Sequence, residues 1–359
     1  MVGGGLLELV AYGSQDIYLT GGNGTYKFRI YYKKHIINEI VVEIIITGYE
    51  CVKCEKISND KENIKNMFNC TYTNINCSKL GIRKLPKFRD LDVFKELKYL
   101  DCSHNKLKNI NKLKYINLLI LDCSNNSLKS ILEKSDSLEY FDFSNNYISG
   151  ELNLINYNKL KYLLASTNMI KKILNYPENL IYLDLSNNRI NTDSISNLPN
   201  LLEYLLIVQT DIRNVNLTYL TNLKYLDISI NLLSDLDGLP NGLVHLNCSQ
   251  CGLTLLDNLP TTLKKLICIN NNLKSLDMLG ESLTHLDCSH NNIIELNNLP
   301  SSLIELKCTH NNIVQLNNLP HKLVSIDCSN NLLEEMKNLP KTLKTIVDKN
   351  NDKIQIVVQ

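Results

Sequence analysis

From Leu97 onward a single apolar pattern returns thirteen times. Leu-x-x-Leu-x-(Cys/Leu/Ile)-x-x-Asn-x-(Leu/Ile) starts at Leu97, Leu118, Leu138, Leu160, Leu180, Leu202, Leu223, Leu243, Leu263, Leu283, Leu303, Leu323 and Leu343. The spacing is 20 to 22 residues, and 20 throughout from Leu223. A weaker copy precedes the array at Tyr72-x-x-Ile75-x-Cys77, closing at Ile82, and the last copy is degraded, with Asp348 at a core position. The stretch Leu-x-x-Leu-x-Cys is too short for a helix, and its apolar residues alternate as in a strand. A fixed period of this length means one supersecondary unit per repeat. No unit can bury its own leucines, so successive units must stack, parallel strand beside parallel strand at about 4.8 Å. The expected fold is a solenoid with a parallel β-sheet on its concave face. The second half of each unit, typically ELNNLPSS, holds most of the eight prolines (Pro86, Pro177, Pro199, Pro240, Pro260, Pro300, Pro320, Pro340), each in a Leu-Pro or Tyr-Pro step. Proline disfavours a helical residue before it, so the convex side should be short, extended and turned, with little helix. The repeat Asn (Asn105, Asn126, Asn146, Asn168, Asn188, Asn231, Asn271, Asn291, Asn311, Asn331) should turn inward and satisfy loop backbone that is costly to bury unpaired. Thr210 and Cys251 replace it in two units, whose loops should be less well held.

This pattern resembles the leucine-rich repeat, and the match covers about three quarters of the chain. The form NLPxxLxxLxCxxNxLxxL is similar to the short repeats of bacterial secreted effectors of the leucine-rich class. Some of those carry a ubiquitin-ligase domain after the repeats; here about ten residues follow the last pattern, so that activity is not implied. The chain accordingly divides into a β-rich segment at 1–49, a cysteine-containing capping region with a degenerate first repeat at 50–96, repeats at 97–347, and an end or cap at 348–359.

Eight of the 12 cysteines share one repeat position: Cys77, Cys102, Cys123, Cys248, Cys268, Cys288, Cys308 and Cys328. Phe143, Ala165, Leu185, Ile207 and Ile228 fill it elsewhere, so it is a core column in which cysteine acts as a small hydrophobe. No signal peptide is apparent: no basic residue precedes Leu6 and Leu7, and Glu8 interrupts the apolar run. That favours a reducing compartment and free thiols. Cys51, Cys54, Cys70 and Cys77 leave three readings open: a zinc site, a disulfide-bonded cap like those of extracellular repeat proteins, or free thiols in a segment covering the open end of the array.

Strand side chains alternate between core and surface. Two positions after the first Leu stand Tyr99, Tyr140, Tyr162, Tyr182, Tyr204 and Tyr225, followed by His245, Lys265, His285, Glu305 and Ser325. Two positions further stand Asp101, Asp122, Asp142, Asp184 and Asp227, interrupted by Leu164 and Leu206. An outward Tyr column beside an Asp column is either a generic repeat surface or a contact surface. Tyr gives large contact area at low entropic cost, and a basic partner segment would relieve stacked like charges. Leu164, Leu206, Val208 and Ile230, in neighbouring units, should form an exposed apolar patch rimmed by Tyr, as an interface core does.

The composition excludes several function classes. Net charge is +1 and no basic stripe stands out, so no nucleic-acid partner is expected. The longest other apolar run, Ile36 to Ile46, is interrupted by Asn38, Glu39 and Glu43 and is too short to span a bilayer, so no membrane partner is expected. No catalytic constellation appears, Gly3–Gly5 and Gly21–Gly24 lack the Lys-Ser/Thr of a phosphate loop, and no cofactor or enzyme activity is expected. His290 and His310 share a column without a third metal ligand.

The opening is unlike the rest. Tyr26, Phe28, Ile30 and Tyr32 alternate with Lys27, Arg29, Tyr31 and Lys33, a half-buried strand after a turn at Gly21–Gly24; Ile40 to Ile46 reads as a second strand. Two strands are marginal alone and must pack on something else. The stretch GGGLLELVAYGSQDIYLTG followed by YKFRIYYKKH is very similar to the N-terminus of the major capsid protein of large nucleocytoplasmic DNA viruses, without gaps from about Gly4 to His35. Gly22-Asn23-Gly24 departs from the family's Asn-Pro-Gln, and the double jelly roll that follows in that family is missing here. The resemblance implies a giant-virus protein, placed in the host cytoplasm or virus factory, or in the virion. The expected function is a non-enzymatic protein-protein interaction scaffold whose partner is a viral capsid component or a host protein.

Overall fold

A computed structural model describes residues 74–85, 97–276 and 278–351, and the backbone strands at 11–21, 24–37, 40–46 and 355–356. The expectations for Cys51, Cys54, Cys70 and the body of the capping region lie outside the described residues. The chain divides into two units, Met1–Leu138 and Glu139–Gln359.

The first unit contains two sheets. In one, β1 (Ala11–Gly21), β2 (Gly24–Ile37) and β3 (Ile40–Ile46) run antiparallel in the order β1-β2-β3. The register pairs Gly21 with Gly24 and Ile37 with Ile40, so two-residue connections join long strands. The segment Ala11–Gly21, within the capsid-like stretch, is therefore itself a strand; the sequence pattern shows only the other two. In the other sheet β4 (Asn74–Asn76), β5 (Tyr99–Asp101) and β6 (Ile120–Asp122) are parallel. The weak copy at Ile75 and Cys77 forms a strand of this sheet, with both residues buried.

The second unit is a parallel β-solenoid. Its strand face is formed in order by β7 (Tyr140–Asp142), β9 (Tyr162–Leu164), β11 (Tyr182–Asp184), β12 (Tyr204–Leu206), β13 (Tyr225–Asp227), β14 (His245–Asn247), β15 (Lys265–Ile267), β16 (His285–Asp287), β17 (Glu305–Lys307), β19 (Ser325–Asp327) and β21 (Thr345–Val347). Pairing is in strict repeat register, Leu183 against Leu205 and Leu246 against Leu266. The middle Leu of each strand and the column residue after it are buried, from Leu163 and Ala165 to Ile326 and Cys328.

Three ladders order the array: two tie successive turns together and the third closes the corner within each turn. Asn291 Nδ2 donates to the carbonyls of Cys268 (3.0 Å) and Cys288 (3.0 Å), and its Oδ1 accepts from Leu273 N (3.1 Å). Asn168, Asn188, Asn231, Asn271, Asn311 and Asn331 likewise tie their own turns to the preceding ones, as Asn105 does in the first unit through Cys77 O, Cys102 O and Ile82 N. Asn351 adds a rung in the degraded last copy, through Cys328 O (3.0 Å) and Asn331 N (3.1 Å). The second ladder is the cysteine column. Its thiols are not joined in disulfides, and Cys248, Cys268, Cys288 and Cys328 donate to strand carbonyls of the next turn at 3.4–3.6 Å. Burial pushes the Cys77 and Cys328 thiols up to about 12, so the column is inert to bases.

The third ladder lies at the prolines. The carbonyls of Pro177, Pro199, Pro240, Pro260, Pro300, Pro320 and Pro340 each accept from the Leu N three residues later (2.9–3.2 Å), and the turn so closed leads the chain into the next strand. Helix is confined, among the described residues, to 3-10 turns at Asn111–Leu113 and Thr192–Ile195. The convex side also has parallel pairs that periodicity did not reveal: β8 (Ser149–Asn153) with β10 (Met169–Leu174), and β20 (Glu335–Lys337) between β18 (Gln315–Asn317) and β22 (Gln355–Ile356).

Candidate functional site: the strand face

The outward columns are more buried than alternation implies. In the first unit Tyr99 is half-buried and Asp101 and Asp122 are buried. In the second unit Tyr140, Tyr182 and Tyr225 are only 1–3% exposed, and Tyr162 and Tyr204 are half-buried. The reason is the strand spacing. Rings one strand apart lie on each other: Tyr182–Tyr204, Tyr204–Tyr225 and Tyr225–His245 centroids are 6.1, 6.2 and 6.3 Å apart. A separate pair, Tyr140–Tyr162, stands at 6.5 Å. Each ring removes its neighbour from water, so the column is mainly a sheet-stabilising stack.

The Asp column is an internal hydrogen-bonding device. Asp101, Asp122 and Asp227 each accept from the Ser N two residues on (3.0 Å) and from its Oγ (2.6–2.7 Å). Asp142 and Asp184 accept the same backbone N–H at 2.9 Å. Asn247 does so at 3.1 Å and gives its amide to Asp227 Oδ2 at 3.0 Å. Asp184 stands in register between Leu164 and Leu206. Burial pushes its carboxyl up to about 6, against the pull of the Ser186 bonds, with Asp142 adding to the rise. These carboxylates are folded into their own turns, which removes the case for a basic partner segment lying over them.

The apolar patch is corrected in the same way. Leu164 and Leu206 are 4% and 5% exposed, covered by the flanking residues of their columns, and do not present an interface. Val208 and Ile230 remain half-exposed. Ile230 is unusual in its backbone, with φ of 56°. Its repeat position is left-handed in every turn of the second unit and is otherwise filled by Asn145, Thr167, Asn187, Gln209, Gln250, Asn270, His290, His310, Asn330 and Asn350. Left-handed backbone crowds a β-branched side chain and costs roughly 1–2 kcal/mol. Thr167 is the other β-branched residue so placed among the described residues.

The two substituted rungs keep part of their bonding. Thr210 Oγ1 donates to Ile207 O (3.2 Å) and to Asn231 Oδ1 (2.7 Å), and Cys251 Sγ to Ile228 O (3.2 Å). A hydroxyl has one proton where an amide has two, so the Thr210 turn is held less firmly than its neighbours.

Beyond Tyr225 the face changes character. His245 ends the ring stack, Lys265 and His285 follow in register, and Lys264 adjoins them. His245 Nδ1 is shielded from solvent without a hydrogen-bond partner. Burial lowers the His245 pKa first, then the neighbouring Lys265, His285 and Lys264. Glu305 lies 4.0 Å from His285 and 3.1 Å from Lys307. The switch from Tyr to His and Lys is visible in the sequence. Elsewhere His290 and His310 stack at 4.1 Å and 11°. Among the described residues no group of three His, Cys, Asp or Glu is placed to hold a metal ion, and no described helix is long and apolar enough to cross a membrane.

No protein-family profile and no curated protein matches the chain. Among solved structures, YopM from Yersinia enterocolitica is similar over 76% of this chain, at 28% identity and a TM-score of 0.59; the chain spans 65% of that structure's length. YopM from Yersinia pestis, described as a leucine-rich effector protein, is similar at 28% identity and a TM-score of 0.51, over 74% of this chain and 72% of that one. A leucine-rich repeat protein of Leptospira interrogans is similar at 20% identity and a TM-score of 0.62, over 84% of this chain and 89% of that one. The fold is a leucine-rich repeat solenoid of parallel strands, with almost no helix among the described residues.

Proposed function

We propose that the chain is a protein-protein interaction scaffold that captures its partner on the strand face around Tyr204, Val208 and Ile230, without enzymatic chemistry. The observation that carries this reading is Ile230. The repeat needs a residue tolerant of left-handed backbone there, and seven of the other ten turns of the second unit use Asn or His. A β-branched apolar residue, half-exposed and strained, is retained against local stability, which is the mark of a functional side chain. Val208 stands one turn away at a position that is Ser in most turns. The Ile230→Asn variant should be more stable than the parent by about 1 kcal/mol in chemical denaturation, yet lose captured protein in affinity purification from infected-cell extract. Unchanged capture by Ile230→Asn combined with Val208→Ser would sink this site.

The setting we propose is a giant virus, supported by the capsid-like stretch at 4–35, with the segment 1–49 acting as a docking element in the virion or virus factory. The likeness to a Yersinia effector favours a second reading, a host-directed adaptor with 1–49 as a recombination relic. Proteomics of purified particles separates them. Absence from particles, with unchanged localisation after deletion of 1–49, would overturn the docking element.

A further inference from the structure

We infer that the turns of the first unit carry a second interaction surface, a basic row around Lys108, and that this row takes a short acidic segment of a partner protein. The row lies in a different unit from the strand-face site and stands or falls independently of it.

The row exists only once the turns stack. In three successive turns the buried residue that closes the repeat pattern, Ile82, Leu107 or Leu128, is followed by an exposed cation, Arg83, Lys108 or Lys129. Lys106 N donates to Ile82 O and Ser127 N to Leu107 O, each at 2.8 Å, which brings the three positions into line. Lys84 and Lys106 stand exposed beside them. The cations of the line are 25 and 21 residues apart in the chain, so a net charge of +1 conceals them. The repeat itself does not call for a cation here: the same position is Ile294, Val314 and Glu334 in late turns of the second unit.

Nothing local compensates the row. Among the described residues of these turns the carboxylates are Asp101, Asp122, Glu133 and Asp136. Asp101 and Asp122 are buried and accept from Ser103 and Ser124. Asp136 pairs with Lys134 at 2.7 Å, and Glu133 is engaged elsewhere. Arg83, Lys84, Lys106, Lys108 and Lys129 make no side-chain hydrogen bond or ion pair among the described residues. Like charges one strand spacing apart repel, and an anionic partner relieves that repulsion.

The size and surroundings of the row select a protein segment over other polyanions. Two strand spacings are about 10 Å, which roughly three extended residues cross. A nucleic-acid duplex needs a broader footprint, about 600 Å² or more even for a single module. Single strands need open aromatic platforms, whereas the exposed Tyr115 carries the Lys114 ammonium 5.0 Å from its ring centroid. A bilayer surface is held by basic residues on an amphipathic helix, and the helix described in these turns is the 3-10 turn Asn111–Leu113.

The test uses the full chain and short fluorescein-labelled peptides, one with a run of glutamates and one with a run of lysines. A labelled oligothymidylate and a short labelled DNA duplex are run beside them, and phosphatidylserine vesicles by cosedimentation. Anisotropy should show the glutamate peptide binding, weakening as salt is raised, and weakening at least about tenfold in Lys106→Glu combined with Lys108→Glu. Lys108→Gln should weaken it in the same direction while its melting temperature at low salt stays level or rises, because a repelling charge is gone. Ile230→Asn with Val208→Ser should bind the peptide as the parent does; loss there would move the binding to the strand face and overturn the row. No binding of the glutamate peptide, equal binding of the lysine peptide, or indifference to the lysine substitutions would each overturn the acidic partner. So would tighter binding of either nucleic acid or of the vesicles at the same salt, or a lower melting temperature in Lys108→Gln.

Discussion

Asp184 and Asn247 hold equivalent places in their turns and perform the same task, accepting the N–H of the Ser two residues on at 2.9 and 3.1 Å. The difference is a charge. Asp184 carries it between Leu164 and Leu206, and its carboxyl rises from 3.8 to about 6. A group with a raised folded-state pKa contributes most to stability below its unfolded value and loses that contribution as pH rises through the folded value. Stability should thus grow as pH falls from 7 toward 4, with this group supplying at most about 3 kcal/mol, at 1.4 kcal/mol per pH unit. In Asp184→Asn this increment disappears, and urea denaturation at a series of pH values should show a flatter profile between 4 and 6. Parallel profiles for parent and variant would contradict the assignment. The residue type was legible in the sequence; its burial was not, because it depends on which side chains stand one strand above and below.

At the scale of one turn, what matters is how many backbone groups the repeat Asn satisfies. Asn188 donates to Ala165 O, Leu185 O and Ser186 O and accepts from Ile170 N. Thr210, one turn on, has a single proton shared between Ile207 O and Asn231 Oδ1. Replacing Thr210 by Asn should add about 1 kcal/mol of stability, the net worth of a regained buried hydrogen bond, and should slow amide exchange in the turn from Leu202 to Ile212. A loss of stability would mean that the turn has relaxed around threonine. Gly238 fixes a different turn: its φ is 90°, and a Cβ there would lie 2.6 Å from Val215 O. The inward Asn, the core cysteines and the absence of room for a helix could all be read from the repeat. The Asn351 rung was missed because Asp348 masks the pattern three residues before it. The convex strands β8, β10, β18, β20 and β22 were missed because neighbouring turns supply their pairing, and the segments themselves show no two-residue alternation.

Across the repeat array, stability comes from each turn's neighbours, so opening should start where a neighbour is lacking. In the second unit the interior thiols Cys268, Cys288 and Cys308 are fully buried and burial raises them far beyond the ordinary thiol range, whereas Cys251 is pushed up to about 11. Pulsed alkylation with mass spectrometry should label Cys328, one turn from the last strand, before Cys308, Cys288 and Cys268 in that order. Simultaneous labelling would instead show the array opening as one cooperative block. The sequence by itself determined that a solenoid must form, which columns are core and where each turn is tied to the last. A twenty-residue unit with one apolar strand has no other way to hide its leucines. Only the tertiary structure decided which of the outward residues meet water. Alternation sets the side of the sheet a residue points to, whereas exposure on that side depends on neighbours about 4.8 Å away. That spacing covers most of the Tyr and Asp columns together with Leu164 and Leu206, and leaves Val208, Ile230, His245, Lys265 and His285 half-exposed.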